Sequence, residues 1–162
     1  MGNLPVIREA RDGDSDQLIA LIGAVFSEYP GCVLDVDGEM PELLAIATAF
    51  KARGGYFWVA EKASRVVGCV GITPVSERKS VAELRKLYVA AGERRSGLGT
   101  KLVERVEATA QSWGVCRIEL WTDTRFEAAH RFYAGLGFVQ GSVTRALHDK
   151  SATVEYFYSR EF

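Results

Sequence analysis

The feature that most restricts how this chain can fold is the passage from Ala82 to Trp113. Ala82, Leu84, Leu87 and Val89, with Tyr88 among them, form a largely apolar run that reads as a strand. The pattern stops at Ala90-Ala91-Gly92. After Glu93-Arg94-Arg95-Ser96-Gly97 the apolar residues return at Leu98, Leu102, Val103, Val106 and Ala110, a helical spacing. A helix start leaves about four backbone N–H groups without intrahelical acceptors, and the aligned peptide dipoles add roughly half a positive charge there. Gly97 and Gly99 have no Cβ, so a phosphate can approach the main chain closely, and Arg94 and Arg95 add permanent charge. The ligand expected at this turn is a phosphate or a pyrophosphate.

Two familiar phosphate sites are excluded by single residues. Gly92 and Gly97 have the spacing of a nucleoside-triphosphate P-loop, but Leu98 stands where its lysine must be. A dinucleotide G-x-G-x-x-G fingerprint needs a glycine where Leu102 stands.

The 162 residues suit one domain, 1–162, and a content of 48% hydrophobic and 25% charged residues is that of an ordinary globular chain. A formal net charge of −1 removes the electrostatic reason to expect a nucleic-acid partner. No apolar run approaches the ~20 residues that span a bilayer, and Met1 to Arg8 lacks the layout of a signal peptide, so the expectation is a cytoplasmic protein with no membrane partner. Cys32, Cys69 and Cys116 are odd in number and far apart, which points to buried free thiols, and with only His130 and His148 beside them no metal site is expected.

Taken in order, Pro5 to Ala10 reads as a short strand. Asp12, Asp14 or Ser15 then caps a helix whose apolar face runs from Leu18 to Phe26 and ends at Tyr29-Pro30-Gly31. Cys32 to Glu39 is turn-rich and precedes a second helix from about Pro41 to Lys51. Tyr56 to Ala60 and Val66 to Thr73 form a hairpin. Cys116 to Thr122 follows a strand–helix passage and should lie parallel to the strand that contains Leu87. A helix from about Phe126 to Ala134 and strands at Phe138-Val139 and Thr153 to Tyr158 complete the chain. Tyr156-Phe157-Tyr158 with Phe162 either completes the sheet, the preferred reading, or forms a homodimer contact. The class is α/β (α+β): a mixed sheet of about six to seven strands flanked by about four helices.

Three phrases then resemble one family, the GCN5-related N-acetyltransferases. Their acyl-CoA pyrophosphate loop, [QR]-x-x-G-x-[GA], stands here as Arg94-x-x-Gly97-x-Gly99. It is preceded by the strand phrase Glu83-Leu84-Arg85-Lys86-Leu87-Tyr88-Val89 and followed by Arg131-Phe132-Tyr133-Ala134-Gly135-Leu136-Gly137-Phe138. The resemblance implies a fold in which the strand of Leu87 and Val89 parts from the strand of Arg117 to Trp121, leaving a cleft for acetyl-CoA. Leu87, Tyr88 and Val89 would meet the pantetheine arm, Val89 N–H lying near the thioester carbonyl. Arg94, Arg95, Ser96, Gly97, Leu98, Gly99 and Thr100 would hold the pyrophosphate. The implied reaction moves an acetyl group to a primary amine of a small molecule or peptide without a covalent enzyme intermediate; the alternative is a non-catalytic acyl-CoA sensor.

An alkylamine with a pKa near ~10.4 is mostly protonated at neutral pH and needs a base, and the departing thiolate needs an acid. Glu83, eleven residues before Arg94, occupies the family position for the base; its other reading is a strand carboxylate paired with Arg85 or Lys86. Tyr133 occupies the position for the acid, or packs helix against sheet. Many relatives carry an asparagine where Phe126 stands, and Thr122, Thr124 or Arg125 could replace its contact. Asp35, Asp37 and Glu39 either attract a cationic amine or form a solvated loop. A pairing of His130 or His148 with a carboxylate is the weaker idea.

Overall fold

A computed structural model of the chain describes residues 3–162; Met1 and Gly2, the beginning of the stretch read for a leader, lie outside the described residues. Seven strands are described: β1 (Val6–Glu9), β2 (Tyr56–Lys62), β3 (Arg65–Pro74), β4 (Val81–Val89), β5 (Arg117–Asp123), β6 (Val139–Ala146) and β7 (Val154–Glu161). They form one sheet in the order β1-β2-β3-β4-β5-β7-β6. Only β4 and β5 run parallel, as expected for strands joined through a helix; the other neighbours are antiparallel. β7 lies inside the sheet between β5 and β6, so Tyr156-Phe157-Tyr158 completes the sheet, with Phe157 against Trp121 at 5.0 Å between ring centroids.

The five described α-helices are α1 (Ser15–Phe26), α2 (Val36–Glu39), α3 (Ile46–Ala52), α4 (Leu98–Ser112) and α5 (Glu127–Gly135). Two differ from the sequence reading. The turn-rich segment contains the single turn α2, because the Asp35 carboxylate accepts from the Gly38 amide at 3.2 Å and closes it. The helix expected from Pro41 begins as a 3-10 turn, Pro41–Ala45, and becomes α-helical only at Ile46.

Strand alternation divides the sheet into two buried faces. Phe57, Val59 and Cys69 pack with Leu18, Ile22 and Phe50 of the α1–α3 side. Trp58, Ala60, Val70 and Ile72 pack with Leu102, Val103 and Val106 of α4. Packing thus fixes α4, and with it the turn at its start, against the middle of the sheet. The three cysteines are less uniform than expected: Cys69 is buried, Cys32 is half-buried and Cys116 is exposed at the start of the β5 segment. No helix among the described residues is long and apolar enough to cross a membrane, and among them no group of three or more His, Cys, Asp or Glu is placed to hold a metal ion.

Leu102 is fully buried under the sheet and its deletion would leave a cavity beneath the α4 turn. Leu102→Ala is expected to destabilise the fold by about 2–5 kcal/mol, read as a lower urea midpoint at unchanged slope.

Candidate active site

β4 and β5 pair only through Val81–Arg117, Ala82–Ile118 and Glu83–Glu119, and beyond these residues the strands part. The cause lies in β4. Against β3 its register passes from Arg85 opposite Gly71 to Tyr88 opposite Cys69, so Lys86 and Leu87 both stand where β3 offers only Val70. Lys86 takes φ +53°, and its carbonyl accepts a hydrogen bond from Cys69 Sγ at 3.2 Å. A bulge of this kind bends and twists its strand. From Leu84 onward the β5-facing edge of β4 has no ladder partner.

The gap is a cavity of about 120 Å³. Leu84, Lys86, Leu87 and Tyr88 form one wall, Trp121, Thr122 and Asp123 the other, and Phe126, Ala129 and Tyr133 of the α5 segment lie across it. The stretch after α1 contributes Phe26, Cys32 and Glu39, and the approach to β7 contributes Asp149, Ser151 and Glu155. Tyr133 is 5% exposed and packs against Phe132, Phe138 and Tyr158 at centroid separations of 5.5, 5.7 and 6.0 Å. Burial pushes its phenol pKa well above the usual value, so the proton stays on the oxygen at neutral pH. Tyr88 stands edge-on to Phe26 at 5.9 Å, and burial first, then the nearby Cys69 and Tyr133, raise its phenol too.

The turn before α4 matches its expected role at some atoms and not at others. Gly97 takes φ +85° at the helix N-cap, and a Cβ there would meet nothing within 4 Å, so its main chain faces open space. Leu98, Gly99 and Thr100 precede the first α4 bond, which Lys101 N donates to Gly97 O at 3.1 Å. Ser96 Oγ donates to Glu93 O at 2.6 Å and stiffens the turn, and Arg95 is exposed with φ +60°. Gly99 has a packing reason for its missing side chain: a Cβ on it would lie 3.2 Å from the Phe132 ring, so the glycine makes room for α5. Arg94 is engaged within the protein. Its Nη1 and Nη2 donate to the two Glu28 oxygens at 2.6 and 2.7 Å, and its Nε donates to Val89 O at 3.1 Å. Its charge is already paired, and one main-chain acceptor expected to face a ligand is occupied.

Glu83 is the last paired residue before the strands part, and it does not face the cavity. Its carboxylate lies 3.6 Å from Arg85, beside Glu119, which Arg78 holds at 2.6 and 2.8 Å and Arg117 at 3.2 Å. Those guanidinium bonds, Arg78 first, keep Glu119 below the usual carboxylate pKa although it is buried. The closed end of the cleft is therefore an ionic cluster.

The three loop carboxylates separate. Asp35 caps α2 and meets Lys150 Nζ at 3.2 Å, Asp37 is exposed, and only Glu39 faces the cavity while accepting from Lys150 N at 2.7 Å. Asp123 and Glu155, missed in the sequence, face it as well. Arg125 neutralises Asp123 through Nε at 3.0 Å and Nη2 at 2.9 Å, and Arg145 meets Glu155 at 2.7 Å. Burial opposes the Asp149 charge, but the Thr153 amide and hydroxyl outweigh it and hold its pKa low. Cys32 Sγ lies 3.9 Å from Asp123, and burial, then that carboxylate, push the thiol up, which makes it a poor nucleophile. Phe126 builds an aromatic wall with Tyr29 at 4.7 Å and Phe26 at 6.2 Å. Of the three residues weighed as substitutes for the family asparagine, Thr122 faces the cavity, Thr124 N donates to Val154 O and Arg125 is bound to Asp123. His130 forms no carboxylate pair; its Nε2 donates to the main-chain oxygen of Asp123 at 2.9 Å. The position of Asp123 at the carboxyl end of β5, beside the parting of strands, is the signal that could have found it.

The sequence model of the acetyltransferase (GNAT) family matches residues 20–138. The chain belongs to this family. It is 31% identical over 137 residues to the uncharacterized Escherichia coli (strain K12) N-acetyltransferase YjgM, covering 83% of this chain and 81% of that protein. To N-acetyltransferase 8F1 of Rattus norvegicus it is 32% identical over 122 residues, which are 73% of this chain but 52% of the rat protein. The chain thus spans about half the length, or less, of the mammalian relatives it matches. The crystal structure of a GNAT-family acetyltransferase from Staphylococcus aureus Mu50 superposes with a TM-score of 0.81 at 26% identity, covering 97% of this chain and 98% of that one. A Salmonella typhimurium acetyltransferase solved with its cofactor acetyl-CoA has the same fold, with a TM-score of 0.75 at 19% identity and coverage of 98% and 94%.

Because Glu39 faces the cavity and Asp37 does not, Glu39→Gln is expected to raise the KM for a cationic amine roughly tenfold, the worth of one charge-assisted hydrogen bond, while Asp37→Asn leaves it unchanged. Steady-state kinetics at saturating acyl donor measure both.

Proposed function

We propose that the protein transfers an acetyl group from acetyl-CoA to a primary amine by direct attack, with no covalent enzyme intermediate. The observation that carries this reading is the gap between β4 and β5, opened by the Lys86 bulge, with the Tyr133 phenol facing it and the unpaired start of α4 following β4. A thioester-bearing arm can bond to the free edge of β4 at Leu87 and at Val89 N–H, while a pyrophosphate accepts from the α4 amides Leu98 to Thr100 beside Arg95. The open space over Gly97 fits such an anion. The Salmonella neighbour bound to acetyl-CoA supports the choice of donor.

The amine nitrogen attacks the thioester carbonyl; the N–C bond forms, the C–S bond breaks, and the electron pair leaves on sulfur. The amine must first shed a proton. Glu83 is the proposed base, and because it stands at the closed end of the cleft the proton reaches it through water. Tyr133 then protonates the departing thiolate, its raised pKa keeping that proton in place until sulfur carries charge, and the second proton, shed by the acylated nitrogen, restores the phenol. The acceptor is a small-molecule or peptide amine.

Tyr133→Phe preserves the packing and removes the proton. It is expected to lower kcat by about 10²-fold or more with an unchanged melting temperature, whereas wild-type turnover in this variant rules out the acid role. Glu83→Gln is expected to abolish the alkaline-rising limb of the kcat/KM profile. An unaltered profile moves the base to a carboxylate that faces the cavity.

A further inference from the structure

The arginine that opens the glycine-rich turn is held in a place that a phosphate ligand would not need. Three of its five N–H donors are engaged inside the protein: two on Glu28 and one on the Val89 carbonyl. Glu28 lies just after α1, between Phe26, which faces the cavity, and Tyr29, which packs against Phe126. Val89 ends β4, the strand whose free edge forms the other side of the gap. One planar side chain therefore spans from the end of the donor strand to the aromatic wall on the acceptor side. The neighbouring Glu93 is pinned as well, to Lys62 of β2 at 3.0 Å, so the turn is held from two directions before any ligand arrives.

Building on the acetyltransferase reading, we propose that Arg94 is a positioning residue rather than a pyrophosphate ligand. By clamping the Val89 carbonyl to Glu28, it sets the spacing between the acyl-donor strand and the acceptor wall built on Phe26 and Tyr29. The loop cation left for phosphate is Arg95. An end-on pair to both carboxylate oxygens with a third bond to a carbonyl demands the planar guanidinium; an ammonium keeps the charge but cannot make all three bonds.

That difference gives the test. Acetyl-CoA is titrated calorimetrically into the wild type, Arg94→Lys, Arg94→Gln, Glu28→Gln and the Glu28→Gln/Arg94→Gln double variant, and the KM for the amine is measured for each. The clamp predicts that Arg94→Lys weakens acetyl-CoA binding as much as Arg94→Gln does, about tenfold. Glu28→Gln weakens it in the same direction, and the double variant binds no worse than Arg94→Gln, the non-additivity of groups acting as one unit. Glu28→Gln also raises the amine KM while kcat stays within about twofold. Arg94→Lys binding like the wild type, with Glu28→Gln binding equally or more tightly, would identify Arg94 as a phosphate contact and overturn the proposal. Glu28→Gln is nearly isosteric and its side chain is 35% exposed, so the test remains readable if an Arg94 variant fails to fold. A wild type that binds no acetyl-CoA removes the acetyltransferase reading itself, and the clamp with it.

Discussion

Everything distinctive in this molecule depends on one unfilled hydrogen-bonding edge. A buried strand in the middle of a sheet ordinarily exchanges main-chain bonds with neighbours on both sides, and an N–H or C=O left without a partner costs about as much as a lost hydrogen bond. β4 pairs with β3 on both sides of the Lys86–Leu87 bulge but pairs with β5 over three residues only. The Lys86 bulge produces the divergence by inserting a residue with positive φ into β4. The chain thereby holds open a row of donors and acceptors that an extended, amide-containing arm can complete. The same strand runs directly into the turn before α4, so the free edge and the free helix amides lie in sequence along one path.

The rest of the fold keeps that edge in place. α4 buries Leu98, Leu102, Val103, Val106 and Ala110 against the sheet, which fixes where its N-terminus points. Phe132 of α5 rests on Gly99, so the turn is bound from the α5 side, while Arg94 and Glu93 bind it from the α1 and β2 sides. At the closed end of the gap, Arg78, Arg117 and Glu119 form a cluster where the two strands last touch. Glu119 is buried, and the cost of desolvating its charge offsets much of the attraction to the two guanidinium groups, so this cluster serves to fix the point of divergence more than to stabilise the fold.

Most of the architecture was legible because it rests on local patterns. The alternation in Tyr56 to Ala60, the helical spacing from Leu98 to Ala110, and the strand–helix–strand order that makes β4 and β5 parallel are all written in the order of apolar residues. What could not be read are matters of direction. Lys86 in a left-handed conformation leaves no signature, since nothing about lysine favours it. Gly99 carries the same letter whether it admits a phosphate or a phenylalanine ring. Nothing near Arg94 in the sequence announces its pairing with Glu28, 66 positions earlier. Glu39, Asp123 and Glu155 meet around one cavity from three remote segments, and only tertiary packing selects Glu39 from its neighbours Asp35 and Asp37.

The most direct test of the account is amide hydrogen exchange with and without saturating acetyl-CoA. If the free edge of β4 and the start of α4 receive the ligand, exchange should slow at residues 84–90 and 97–100 and stay unchanged along β6, on the far side of β7. Unchanged exchange in those two segments, or protection confined to β6 and β7, would contradict the claim that the parting of β4 from β5 is where this protein binds its acyl donor.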